Sequence, residues 1–338
     1  MPRTLRLDHL AHLTTRTGLW EHALLTEPRV EHGMCVDDVA RALVVTSRIT
    51  DPTDDVRTMT RTYLAFLEAS LHDDGLMHNR RNPDGTWGDE ASTHDHWGRA
   101  LCAFGTAAAR LDDPQLAGAA RIAAGTAMGA RSDHPRAMAY AALGAAQLLT
   151  IAPDDLQSRR VMLDARRLLR PARVETEWPW PYPELTYANA VLPQAMLVIG
   201  RELEAHEFER DGLRLLSWLV TEQMNEGHLS VVPATGRSPG DRRPAFDQQP
   251  IEVASLAEAA RTAYELTGDP QWAHLIELCV AWFEGSNDSG LAVRDEHTGG
   301  GFDGLEQDAV NQNQGAESTL AWLATLQLSQ LGALAGRP

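Results

Sequence analysis

Lysine is missing from this chain: all 30 basic residues are arginines, set against 47 acids, for a formal net charge of −17. We read the missing lysine as coding bias. The acidic balance argues against a nucleic-acid backbone or an anionic membrane surface as partner. Cysteine is scarce. Cys35, Cys102 and Cys279 are odd in number, widely spaced and set in apolar helical surroundings. That excludes a disulfide framework and zinc-ligand spacing, and fits buried free thiols in a reducing compartment. No apolar run approaches the roughly 20 residues of a membrane-spanning helix. The start, Met1-Pro2-Arg3-Thr4-Leu5, lacks an apolar stretch before a small-residue cleavage site, so no signal peptide is expected and the cytoplasm is.

What is present is a core. Apolar residues make up 43% of the 338 residues, enough for one large domain over 1–338, with no hinge or linker in view. The most telling stretch is Glu31-His32-Gly33-Met34-Cys35-Val36-Asp37-Asp38-Val39-Ala40-Arg41-Ala42-Leu43. Val36, Val39, Ala40, Leu43 and Val44 recur at the period of a buried helical face, and a polar loop leads into them. Asp37 and Asp38 stand at the helix head, where carboxylates suit the dipole and the unpaired N–H groups. Capping explains one Asp; two ask for more.

Such heads recur. His94-Asp95-His96-Trp97-Gly98-Arg99-Ala100-Leu101 repeats an acid followed by Arg-Ala-Leu. Others are Ser132 to Met138, Thr186-Tyr187-Ala188-Asn189, Asp247-Gln248-Gln249-Pro250-Ile251-Glu252 and Asn311 to Ser318. The heads near 37, 95, 134, 188, 250 and 316 are spaced by roughly 40–65 residues, a helix-pair period. Between them lie helices with plainer heads, entered through Asp-Pro turns such as Asp113-Pro114 and Asp269-Pro270. The alternation predicts an all-α fold of six hairpins closed in a ring. Inner helices would be apolar all round and outer ones amphipathic.

The pattern resembles the six-hairpin, (α/α)6-barrel glycosidase-like superfamily. The heads from Cys35 to Leu43, Leu185 to Pro193, Phe246 to Glu252 and Asn313 to Thr319 also resemble bacterial glycosidase- and glycosyltransferase-associated proteins. Adjacent Asp37-Asp38 is similar to the neighbouring aspartates of (α/α)6 endo-mannanases. The resemblance implies carbohydrate handling at a loop-rich mouth.

The heads themselves supply what glycoside hydrolysis needs: one carboxyl protonated as acid and one ionised as base or nucleophile. Crowded carboxylates raise one another's pKa, which keeps one protonated near neutrality. Asp38 and Asp247 are the favoured catalytic pair, with Asp37 and Glu184 in reserve. Asp95, Glu252 and Glu317 are further acids at the heads. Trp87, Trp97, Trp180 and Tyr187 offer aromatic faces to sugar rings, or edges to the core. Arg99 and Arg136 either orient carboxylates or meet a charged sugar. Asn189, Gln248, Gln249, Asn313 and Gln314 suit hydroxyls, or close loops. His134 joins them.

No metal or cofactor is expected. His94-Asp95-His96 lacks a third ligand at zinc spacing, and Asn287–Asp303 lacks a known calcium-loop spacing. The expected activity is therefore a glycoside hydrolase acting on a short oligosaccharide or glycoconjugate. The alternative is a sugar epimerase or isomerase using His96 and His134 as paired proton-transfer groups. A third reading is a non-catalytic sugar-binding partner of a glycosyltransferase. Oligomeric state has no signature in the sequence.

Overall fold

The computed structural model describes residues 3–169 and 176–335. Twelve α-helices occur among them: α1 Asp8–Leu13, α2 Val36–Ser47, α3 Asp54–Ser70, α4 Asp95–Arg110, α5 Pro114–Ala127, α6 Pro135–Ile151, α7 Leu156–Leu168, α8 Val191–Glu202, α9 His206–Glu222, α10 Pro250–Thr267, α11 Pro270–Phe283 and α12 Ala316–Ala335. The even-numbered helices touch in the order α2, α4, α6, α8, α10, α12 and back to α2, closing an inner ring. Helices α3, α5, α7, α9 and α11 each pack outside the inner helix that precedes them, and α1 packs on α12. This is the (α/α)6 barrel. Among the described residues, no helix is long and apolar enough to cross a membrane.

Burial explains the sequence patterns. Every residue of α8 from Val191 to Gly200 is buried, because neighbours flank it on all sides. The outer α9 buries Phe208, Gly212, Leu215, Leu216 and Leu219, a single stripe at helical spacing. The outer helices α3, α5, α7 and α11 are capped by side chains, and α9, headed by Ala205, is not: Thr53 accepts from Val56 N–H, Asp113 from Gln115, Asp155 from Ser158 and Asp269 from Gln271. The N-cap residues of α2, α4, α6, α8 and α10 make no side-chain cap. Their polar residues are employed elsewhere, which is the basis of the site.

The expected inner helices begin within three residues of their sequence positions. The largest difference is α8, which starts at Val191 because Ala188 takes a left-handed φ of 46° in the turn before it. A two-residue ladder, His228–Leu229 against Met224–Asn225, lies in the loop before α10. All three cysteines are free; Cys35 and Cys279 are buried, and Cys102 is half-buried.

Candidate active site

The loops before the inner helices gather at one end of the barrel, where the chain's heads meet. Met34–Cys35 pairs with Arg80–Arg81 of the long 73–93 loop, and Val36 N–H donates to the Asn79 carbonyl at 2.9 Å. The buried stripe Val36, Val39, Ala40 and Leu43 then fixes the rotation of α2. Asp37 consequently faces Arg99, with Oδ1 3.1 Å from Nε in ion-pair contact outside hydrogen-bond alignment, and accepts from Asn79 Nδ2 at 3.1 Å. Asp38 points inward and is only 2% exposed. It accepts from Arg41 and from the Cys35 thiol, whose Sγ lies 3.2 Å away. Burial pushes its carboxyl up to about 6 against the pull of Arg41. Arg41 reaches on to Glu317 at 2.7 Å. Neither Asp is a simple cap: the partners of both carboxylates are side chains.

Glu21, Cys35 and Asp38 bring possible ligand atoms within 4.8 Å of one another. Arg80 and Arg41 already answer the two carboxylates, and burial holds the Cys35 thiol well above its ordinary value. The trio is therefore poorly suited to a cation that wants a thiolate.

A second set joins α4, α6, α8 and α10. The Tyr187 hydroxyl donates to Asp95, and the Arg136 guanidinium lies 4.0 Å over the Tyr187 ring. Arg136 also donates to Thr186 Oγ1 at 2.7 Å and approaches Asp95 at 3.8 Å. Burial and Asp95 push the Tyr187 hydroxyl up to about 12. Glu252 on α10 clasps the turn below: it accepts from Ala188 N–H and from Asn189 Nδ2 at 3.0 Å, while Asn189 Oδ1 accepts from Thr186 N–H at 2.9 Å. Burial drives Glu252 up to about 7, opposed chiefly by the Asn189 bond. A carboxyl raised from 4.5 binds its proton more tightly in the folded state. Its stabilising contribution is thus complete below pH 4.5 and is lost as pH rises through about 7. Glu252→Gln should flatten that part of the stability profile, measured by thermal melts across the range. An unchanged slope would remove Glu252 as its source.

Asp247 closes the arc. Its Oδ1 is buried without a hydrogen-bond partner and lies against Gly304, where a Cβ would fall 2.1 Å from it. Burial, then Glu306, raises its carboxyl. The residue before Gly304 is Asp303, which sequence reading passed over except as one acid of a calcium-loop comparison. Asp303 accepts from Gly315 N–H at 2.8 Å. Burial pushes it up to about 6, with Glu317 and Asp38 adding to the rise. Asp303 thereby joins the α2 and α12 heads, one residue before the Gly304 that Asp247 lies against. Its sequence signal was faint, because it stands in a glycine-rich excursion rather than at a helix head.

Several expected sugar contacts are structural. Trp97 is 0% exposed and its indole donates to the Ala127 carbonyl at 3.2 Å. Trp180 is 1% exposed, donates to the Glu184 carbonyl at 3.2 Å and stacks near Trp218. Gln248 is buried, donating to Asp288 at 2.6 Å and accepting from the Trp282 indole at 3.3 Å. Buried Gln314 turns to Thr298 and Asp295. Asn313 accepts from Leu25 N–H at 2.9 Å, closing a loop. Gln249 is half-buried at the start of α10, and Glu184 is exposed on its loop. Trp87 stacks on His78, ring centres 5.2 Å apart. The His96 and His134 pairing does not form: His96 is buried on the Met77 carbonyl at 2.9 Å, and His134 faces His94, ring centres 4.6 Å apart. Asp288 is engaged by Asn225, His228 and Gln248, and Asp295 bonds its own turn, so the acids of 287–303 face different partners.

Beneath Arg41, Arg99 and Tyr140 a cavity of about 220 Å³ runs along the barrel axis. The Arg99 guanidinium lies 4.3 Å from the Tyr140 ring centre and forms part of its upper wall.

No protein-family model matches the chain, and no curated protein matches it in sequence. Solved structures do match in fold. Cellobiose 2-epimerase from Bacillus thermoamylovorans superposes with a TM-score of 0.70 at 11% identity, over 96% of each chain. A sugar epimerase from a ruminal bacterium gives 0.68 at 11% identity, over 96% of this chain and 95% of that one. A family GH76 α-mannanase from Bacteroides thetaiotaomicron gives 0.62 at 9% identity, over 90% and 88%. The chain therefore has the (α/α)6-barrel fold that sugar epimerases and glycoside hydrolases share, the six-hairpin ring its sequence resembles.

Proposed function

We propose that this protein is a carbohydrate-active enzyme, and specifically a glycoside hydrolase of a short oligosaccharide or glycoconjugate. The observation that carries the reading is the contrast between Asp247 and Asp37 at one rim. Asp247 is desolvated, raised and left with an unpartnered oxygen, the condition of a general acid. Asp37 is paired with Arg99 and bonded by Asn79, the condition of a carboxylate kept as base or nucleophile. Asp38, favoured by sequence, takes a positioning role: it is buried and holds Arg41 toward Glu317. Tyr187, 41% exposed, with the Arg136 guanidinium 4.0 Å over its ring, offers a platform for a sugar.

The test is a panel of α- and β-linked manno- and gluco-oligosaccharides, scored for new reducing ends. Asp37→Asn should lower turnover by roughly 10²–10⁴-fold in a folded protein. Full activity in that variant would take Asp37 out of the chemistry. The second reading, an epimerase, draws support from the exposed His94–His134 pair at the heads of α4 and α6. In D₂O only that reaction places deuterium on a sugar carbon. Calorimetric sugar binding with neither product would instead favour an accessory protein.

A further inference from the structure

The axial cavity carries charge of the opposite sign to the chain. Six arginines and two glutamates line it, in a protein of net charge −17. Arg41 and Arg99 at the upper end are answered from the mouth by Asp38, Glu317 and Asp37. Lower down, Arg48 grips both oxygens of Glu258, the second at 2.9 Å, and Arg201 turns aside to Glu202 at 2.8 Å. Arg110 and Arg261 remain. Arg261 Nε pairs with Glu265 at 2.7 Å, but its Nη1 is buried with no hydrogen-bond partner. Arg110 makes no hydrogen bond or ion pair among the described residues. Burial, then Arg48 and Arg261, holds its guanidinium below the ordinary value, against the opposing pull of Glu265 and Glu258, which already share out their charge with Arg261 and Arg48.

A simpler account is that arginines complement the dipoles at helix C-termini. It covers Arg48 and Arg110, at the ends of α2 and α4. It does not cover Arg261, which stands well before the last turn of α10, or its orphaned Nη1. The lower end of the cavity is open to solvent, since Arg110, Thr150 and Glu265 are exposed there. A small ligand can enter without passing the mouth, about 25 Å away along helices rising 1.5 Å per residue.

We propose that this lower end is a binding site for a phosphate-bearing small molecule, its oxyanion received by Arg110 and by Arg261 once the covered Nη1 of Arg261 swings into the cavity. A guanidinium presents paired N–H donors matched to phosphate oxygens; Arg110 has no other acceptor among the described residues, and Nη1 of Arg261 has none in its present, covered position. The volume is far above the ~10–15 Å³ that one water needs. The site is independent of the hydrolase reading, since no carboxyl of the mouth takes part.

Titration calorimetry and thermal melts would use inorganic phosphate, a hexose phosphate and the free hexose at matched ionic strength. Saturable binding and a raised Tm are expected with phosphate, with the hexose phosphate, or with both, and none with the free hexose at this end. Arg110→Gln and Arg261→Gln should each weaken binding roughly tenfold to a hundredfold. Arg110→Gln should leave any sugar turnover at the mouth unchanged, so the two readings fail separately. Absence of saturable binding by either phosphate compound, or equal binding by both folded variants, would overturn the site.

Discussion

Asp247→Asn is expected to abolish most turnover while leaving the protein at least as stable as its parent. The two effects share one cause. A carboxylate half-buried with an unpartnered Oδ1 is costly to ionise, so the fold carries a penalty there. The same penalty tightens the group's hold on a proton, the property a general acid needs and an amide of equal size lacks. Turnover should fall by roughly 10²–10⁴-fold. The sign of the stability effect follows from linkage. The folded carboxyl is raised above 3.8, so its stabilising contribution is complete below that pH and is lost as pH rises through the folded value. The variant escapes this loss, and its advantage in thermal melts should therefore grow above the ordinary carboxylate range. Retained turnover would dismiss Asp247 as the acid. A drop in Tm would show that the carboxylate has a stabilising partner.

Gly105→Ala is expected to give the largest loss of stability among conservative substitutions. Helices α4 and α6 pack backbone to backbone: a Cβ at Gly105 would lie 2.2 Å from the Gly144 carbonyl oxygen, and one at Gly98 2.2 Å from that of Ala137. Alanine favours helix by about 1 kcal/mol over glycine. Overpacking costs typically ~1–3 kcal/mol, and the upper end applies here because backbone cannot swing aside as a side chain can. The clash wins, and Tm should fall by several degrees. Gly118→Ala on α5, with nothing within 4 Å of the new Cβ, is the control and should be neutral or stabilising. The consequence reaches the site. The α4–α6 spacing sets Arg99 on Tyr140 and Arg136 beside Asp95, so spreading the helices should also impair sugar binding. Equal melting of Gly105→Ala and its parent would mean that the contact relaxes freely.

The ring was legible because its causes are local. Apolar periodicity, Asp-Pro turns and side-chain caps act within a few residues, so α5 and α11 start at the prolines of the Asp113-Pro114 and Asp269-Pro270 turns. The contrast between α8, buried on every side, and α9, buried along one stripe, follows from composition alone.

What each polar residue does was decided only by the packed helices. Asp37 and Asp38 are neighbours of one type, yet the rotation of α2 sends one to the rim and the other inward, a difference of about 100° per residue that no composition records. Trp97 and Trp180 went to the core because their indole N–H groups found the Ala127 and Glu184 carbonyls, acceptors 30 and 4 residues away. Asp303, Asp38 and Glu317 share one rim only because the ring closes, and the arginines of six separate helical turns meet in one cavity for the same reason. Periodicity along a chain fixes which face of a helix is buried; charge, desolvation and reach depend on what the other helices bring to that face.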